Sequence, residues 1–366
     1  MRFLARGTLV LVLTVVVLVA GCSRWVGSKP ETAPAPPEIT APLDDEGYGR
    51  VELLASLAGE PLSSPAGVAV SPTGDVYVSD AAKQVIFKFP GGDLKASPQL
   101  FGGEGGRPGQ FVHPRDLAVD GAGNLYVLDD GNCRVEKLSP DGKPLAQVGS
   151  REDFAAYFSL QDGYDEPLSA LAVDNAGNIY VGVSGANYDI SPHALVKYAP
   201  DGRKVWEIKS TLEGDVDVAP FAWPDALAVD EHGTLYMAHG ANGTGKILIL
   251  PQKDGQVDKG AVRDFGPIGK GPGELMHTPA GIALTASGDI LVADTYNNRL
   301  QLFSAGGKLK AMYRLKGLPT AEFDQPGPLA VAPDGSVYVV DGGNKRVLKL
   351  RLVPPPNAGG AGTKRE

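Results

Sequence analysis

The sequence predicts an all-β protein: a six-bladed β-propeller with four antiparallel strands per blade, its ring closed by the N-terminal strand joining the last blade. Three observations predict it. A strand–turn–strand unit recurs six times, the recurrence has the period of a propeller blade, and the last repeat lacks the fourth strand that the first segment can supply. The unit is clearest at Leu171–Val181, LAVDNAGNIYV, and equivalent units begin at Val68, Leu117, Leu227, Ile282 and Leu329. Alternating apolar residues on both sides of a Gly read as a β-hairpin. The second residue is Ala in every copy (Ala69, Ala118, Ala172, Ala228, Ala283, Ala330) and the seventh is Gly (Gly74, Gly123, Gly177, Gly233, Gly288, Gly335). An unvarying turn Gly implies positive φ, which a side chain opposes. A small Ala between larger apolar residues suits strands crowded around an axis.

The spacing turns the unit into an architecture. Five tyrosines and one leucine occupy the same place in the second strand: Tyr77, Tyr126, Tyr180, Tyr236, Leu291 and Tyr338. The first interval is 49 residues and the others run from 47 to 56. A repeat near that length carrying four strands is the signature of a propeller blade. Each hairpin is followed by a third apolar strand (QVIFKF, RVEKLS, ALVKYA, KILILP, RLQLFS, RVLKLR), then a turn and a fourth strand such as KPLAQVG. The sixth repeat runs into prolines after its third strand. Arg50–Leu57, RVELLASL, is therefore expected to complete that blade, leaving no long open edge.

The runs GQFVHPRDLAVDGAGNLYVLDDGNCRVEKLSPDGK and GELMHTPAGIALTASGDILVADTYNNRLQLFSAGGK resemble NHL repeats. The resemblance covers all six repeats, about Arg50 to Val353, and is strongest in the second and fifth. It implies a six-bladed propeller, in agreement with the count made from the repeats themselves.

Four segments are expected. Residues 1–21 resemble a lipoprotein signal peptide: Arg2 and Arg6 precede an apolar stretch, Thr8 to Ala20, that ends Leu18-Val19-Ala20-Gly21-Cys22. That stretch is short for a membrane span. Cys22 is the expected lipidation site. Residues 22–49, rich in Pro and Ala, read as an extended tether. Residues 50–353 form the propeller and 354–366 a disordered tail. Ser23, rather than Asp, after the Cys favours the outer membrane under the family rule. The expected location is the cell envelope, lipid-anchored, with the domain in the periplasm or at the surface. The lipid is the only membrane contact expected.

Composition narrows the partners. The chain has 34 Lys+Arg against 43 Asp+Glu, a net charge of −9, and no basic run. Nucleic acid needs a positive footprint, so it is excluded. No phosphate-binding Gly loop, zinc-spaced Cys pair or H-E-x-x-H is present, and no cofactor is expected.

Loop lengths locate a binding face. Second-to-third strand spacing is 8 at Tyr77–Val85 and 9 at Tyr126–Val135, but 15 at Tyr180–Leu195 and 11 at Tyr236–Ile247. The connection from Ser150 to Pro167 is the longest between blades. In an up-and-down blade these segments share one end of the ring, and the opposite end is expected to carry tight turns. Insertions on one face of a repeat array mark the binding face. Its aromatic residues are Phe154, Tyr157, Phe158, Tyr164, Tyr188, Phe221 and Trp223. Two readings stand: rings exposed for a protein, peptide or glycan, or rings packing their own loops into satellite cores.

At the channel mouth, the residue after each strand-opening Pro faces the axis in related propellers. Here the set is Ala66, Arg115, Ser169, Asp225, Ala280 and Gly327, with Asp116 beside it. Arg115, Asp116, Ser169 and Asp225 are the candidate polar anchors; the alternative is solvated or mutually paired charge. His113, His193, His239 and His277 map to the same face as weak metal candidates. Amidating lyases of this propeller class carry axial histidines where this chain has Arg115, Ser169 and Asp225, and lactonase-like propellers carry an acidic axial cluster it lacks. An enzyme, a lyase or lactone hydrolase at the channel mouth, is the competing reading to a binding or scaffolding module. The recurring Asp–Asn–Arg set (Asp129/Asn132/Arg134, Asp294/Asn297/Arg299, Asp341/Asn344/Arg346) reads as architecture, because a set repeated around a ring is not one active site. Cys133 is expected to be buried as a small apolar residue.

Cys22→Ser is expected to abolish acylation and release the protein from the membrane fraction. Incorporation of labelled palmitate by that variant would exclude Cys22 as the anchor.

Overall fold

A computed structural model describes residues 39–40, 48–158, 167–185, 193–210, 221–241, 244–277, 279–316 and 322–355. Among the described residues six antiparallel sheets of four or five strands follow one another along the chain. The inner strands, beginning at Pro65, Pro114, Leu168, Pro224, Gly281 and Pro326, each contact the next in order, and the sixth contacts the first. In blades one to five the four strands come from one stretch of chain. In blade six the outer strand is Arg50–Ala58, hydrogen-bonded antiparallel to Arg346–Val353 with Arg50 opposite Val353 and Leu57 opposite Val347. The expected ring-completing strand is therefore in place.

The core is divided among the junctions between blades. Six hydrophobic clusters lie one to a junction. The blade-five strands Ile290–Asp294 and Arg299–Phe303, for example, present Leu291, Ala293, Leu300 and Leu302 to Val337, Val339, Leu348 and Leu350 of blade six. A buried strand with apolar residues on both faces gives this result, since each sheet is covered on two sides.

The six turn glycines have φ between 75° and 86°. The five second-strand tyrosines are no more than 5% exposed, and each phenol finds a partner. Tyr126, Tyr180 and Tyr236 donate to Asp120, Asp174 and Asp230 in their own hairpins at 3.1 to 3.2 Å. Tyr77 reaches the Pro140 carbonyl in blade two and Tyr338 the Gly92 carbonyl in blade one.

At the other end of the second strand a buried Asp fixes the long-loop face. Asp129, Asp294 and Asp341 are 0% exposed. Each accepts from the Arg five residues on, at 2.8, 2.7 and 2.6 Å, and from an Asn. Each also accepts a backbone N–H of the incoming connection: Val112, Met276 and Asp324. Arg299 spends its remaining donors on the carbonyls of Lys270, Gly271 and Glu274. Asp80 does the same work in blade one by accepting from the Ser63, Ser64 and Lys83 amides. The equivalent position holds Val183 in blade three and His239 in blade four, the two blades with the longest inserted loops.

Two expectations change. Ile39–Thr40, assigned to the tether, pairs with Glu52 and Leu53 as a fifth strand on the sheet of blade six. The face expected to carry tight turns also carries an insertion, the hairpin Gln252–Lys253/Gln256–Val257 of blade four. It folds back on blade three: Gln252 Nε2 donates to Tyr180 Oη, Lys197 Nζ donates to Gln252 Oε1, and Trp206 Nε1 donates to the Gly255 carbonyl. The fourth strand of blade four is consequently delayed to Arg263–Phe265.

Removing Asp294 leaves Arg299, 1% exposed, as an unpaired buried charge. Asp294→Ala is expected to cost about 3–5 kcal/mol, read as a lowered urea midpoint. Asp264→Ala, which removes only the half-exposed partner of Lys246, is expected to cost under about 1 kcal/mol. Equal losses would contradict the clamp.

Candidate functional site

The strand-opening residues converge as the sequence implies. A cavity of about 230 Å³ on the axis is lined by Ala66, Arg115, Asp116, Ser169, Asp225 and Ala280, among others. Of the six expected axial residues only Gly327 does not line it, its neighbour Pro328 standing there instead. A second axial cavity, about 240 Å³, is lined by all six invariant alanines with Val and Leu neighbours. Small side chains are thus found where the inner strands crowd.

Most polar groups of the first cavity are committed to structure. Asp116 accepts the Leu117 amide at 2.8 Å and, across the junction, the Leu171 amide at 2.9 Å. Burial pushes its carboxyl up to about 6 against these two N–H groups and the Arg115 charge, which pull it down. Ser169 Oγ donates to the Pro224 carbonyl at 2.7 Å, and Ser79 Oγ to the Arg115 carbonyl at 2.8 Å. Both bonds tie one blade to the next. Arg115 differs: its side chain is 49% exposed and lies a long 3.8 Å from Asp130. It is the group of this set best placed to meet an incoming molecule.

The expected aromatic face divides. Phe154 and Tyr157 are 2% and 1% exposed and pack with Val148, Leu168 and Tyr198 between blades two and three. Tyr157 Oη donates to Glu207 Oε1 at 2.6 Å. These two rings belong to the core of that junction and are not exposed binding groups, because the loop that carries them has to bury something to be ordered. Phe158 is half-buried beneath Arg151, whose guanidinium sits 4.4 Å from the ring centroid. Phe221 is buried, and Trp223 lies edge-on to His193 at 5.9 Å. Tyr164, Tyr188 and Cys22 lie outside the described residues.

The histidines separate in the same way. His113 and His277 are exposed; His193 and His239 are 1% and 3% exposed. Among the described residues no three His, Cys, Asp or Glu side chains converge as a metal-ligand set. His193 Nδ1 accepts the Gly185 amide, while its Nε2 and His239 Nδ1 are buried without partners. Burial pulls both imidazoles down to about 4. Cys133 is fully buried, as expected.

The residue that sequence reasoning missed is Tyr296. It is 58% exposed and packs on exposed His277, ring centroids 5.0 Å apart. Tyr296 sits in the second-to-third strand turn of blade five, where blades two and six carry Gly131 and Gly343. A large ring in place of Gly in an otherwise repeated turn is the signal that could have found it.

An NHL repeat family model matches residues 276–303 and 323–350, within blades five and six. The fifth and sixth repeats therefore match as NHL repeats, where the second and fifth were expected to resemble them most strongly. The chain is 31% identical over 226 residues to NHL repeat-containing protein 3 of Mus musculus, over 58% of this chain and 61% of that protein. It is 24% identical over 282 residues to E3 ubiquitin-protein ligase TRIM32 of Homo sapiens, over 66% of this chain and 42% of that protein. It thus spans less than two thirds of either relative. Among solved structures it is similar to a gluconolactonase from Xanthomonas campestris, with a TM-score of 0.58 and 16% identity over 88% of this chain and 99% of that one. That likeness is one of fold.

The buried histidines make stability depend on pH. In the unfolded chain they take up protons below about 6.5; in the folded protein they resist until about 4. Their stabilisation is complete above about pH 6.5 and is lost as pH falls towards 4. Asp116, raised to about 6, acts with the opposite sign: folding is favoured when it is protonated and loses that contribution as pH rises through 6. Each histidine corresponds to about 3 kcal/mol across its window. His239→Gln is expected to flatten the fall in urea-unfolding free energy between pH 7 and 4.5. A wild-type slope in that variant would show that His239 is not the titrating group.

Proposed function

We propose that this NHL-repeat propeller is a binding module for a protein or peptide, held in the cell envelope by lipid on Cys22, with recognition on the long-loop face. The observation that carries the reading is the exposed Tyr296–His277 pair on the face where the axial cavity opens beside half-exposed Arg115. An exposed aromatic pair and an Arg at the centre of a face are the residue types on which interface energy concentrates. The NHL-repeat relatives add support, one of them an E3 ubiquitin-protein ligase. Envelope attachment rests on the Cys22 sequence alone, and a glycan would suit the same exposed rings.

The lyase or lactone hydrolase reading requires a general acid or base at the axial cavity. Asp116 has the raised pKa for that work. Both of its oxygens, however, already accept backbone amides, that of Leu117 within blade two and that of Leu171 across the junction with blade three. That commitment favours a structural part for it and a binding part for the face.

The test is capture from envelope extract by immobilised protein. Tyr296→Ala and Arg115→Ala are each expected to weaken the captured partner's binding about tenfold or more, with the melting temperature unchanged because both side chains are exposed. Unaltered capture by both variants would move the binding surface elsewhere. Turnover of a lactone substrate that is lost in Asp116→Asn would establish the enzyme instead.

A further inference from the structure

Blade five departs from the repeat at one buried position: Leu291 stands where the other five blades have Tyr. The reason is visible in the ring. Tyr77 and Tyr338 extend from their own blade to a carbonyl in the third-to-fourth strand connection of the next one, and Tyr180 Oη meets Gln252 there. Blade six has no such connection, because its fourth strand is Arg50–Ala58. A tyrosine in blade five would find neither that turn nor the hairpin Asp that Tyr126 and Tyr236 use, Thr285 standing in its place, and leucine leaves the junction unfilled. A cavity of about 350 Å³ opens there between blades five and six, lined by Leu291, Leu302, Tyr313, Val331, Val337 and Leu352. It lies at the end of the ring opposite Tyr296.

One polar group in this apolar slot is unsatisfied. Tyr313, from the outer strand of blade five, is 0% exposed, and among the described residues its hydroxyl has no hydrogen-bond partner. The other hydroxyls of the lining are engaged: Thr285 and Ser287 bond one another at 3.0 Å, and Ser287 donates to Asp289 at 2.9 Å. Asp289 is itself paired with Lys310. A buried hydroxyl without a partner is costly, and its natural complement is a ligand atom. We infer that the slot between blades five and six binds a small, neutral, largely apolar molecule that places one carbonyl-type acceptor on Tyr313 Oη. The volume is at the lower end of ligand sites, about 300–1,000 Å³. Burial, with the negative charge of Asp289 behind it, pushes the Tyr313 phenol well above its ordinary value, so it remains a donor.

Two nearly isosteric probes separate the apolar slot from the hydroxyl: 4-phenyl-2-butanone, which has a carbonyl, and n-butylbenzene, which has none. Binding is measured by calorimetry and by the shift in melting temperature. The wild type is expected to bind the ketone saturably and more tightly than the hydrocarbon. Leu291→Tyr restores the repeat's ring and fills the slot, so it is expected to lose both probes. Tyr313→Phe keeps the slot and is expected to lose roughly tenfold in ketone affinity while butylbenzene is unchanged. Absence of saturable ketone binding by the wild type overturns the inference. So does ketone affinity unchanged in Tyr313→Phe, or in Leu291→Tyr with an intact melting transition. If Leu291→Tyr does not fold, Tyr313→Phe decides the matter alone.

Discussion

Each blade is a sheet with two apolar faces, and no blade can cover both by itself. This constraint governs the molecule. The six clusters are shared between neighbours, so every blade depends on the one before and the one after. An open row of blades would leave an apolar face bare at each end. The pairing of Arg50–Ala58 with Arg346–Val353 joins the first segment of the propeller to the last and meets the demand without a separate capping repeat.

The polar interior obeys a second rule. The long-loop face is organised by buried carboxylates that collect backbone amides, an Asn and an Arg, and through them hold the incoming connection. Buried charge is tolerable because it is fully satisfied. Blades three and four lack the carboxylate, having Val183 and His239 in its place. A loop held by a clamp has little freedom to change, whereas a loop without one has to find other anchors. Phe154 and Tyr157 provide one such anchor beside blade three. The face is thus divided into a clamped sector, which displays Tyr296, and a sector where the insertions reside.

The repeat made most of the fold legible. Period-2 alternation around an unvarying Gly located the hairpins, and the missing fourth strand pointed to Arg50–Leu57. The axial residues followed from alignment of strand openings, because Pro114 and Pro224 fix the register of Arg115 and Asp225. What resisted reading was short or exceptional. Arg263–Phe265 is three residues long and has no periodicity to detect. The hairpin at Gln252 is defined by its bonds to Tyr180 and Lys197, which belong to another blade. The burial of Tyr157 depends on Glu207, fifty positions away. Ring exposure is decided by such contacts, and composition does not contain them. Tyr296 occupies a short turn, where loop length carries no signal.

The strand that joins the two ends also sets the order in which the molecule can be made. Arg50 pairs with Val353, roughly 300 residues later, and the entropy of that closure grows only as the logarithm of the separation. Time is the larger obstacle. Until the last blade has been synthesised, Val51 and Leu53 have no partners, and afterwards the edge of Arg346–Val353 stays open until they arrive. During that interval the nascent protein presents two complementary edges that belong together but are not yet joined. A second nascent copy offers the same two edges. Exchange of the Arg50–Ala58 strand between copies would give intertwined dimers with every native contact intact, so the rate of intramolecular joining against the local concentration of chains decides how much of the product is monomeric.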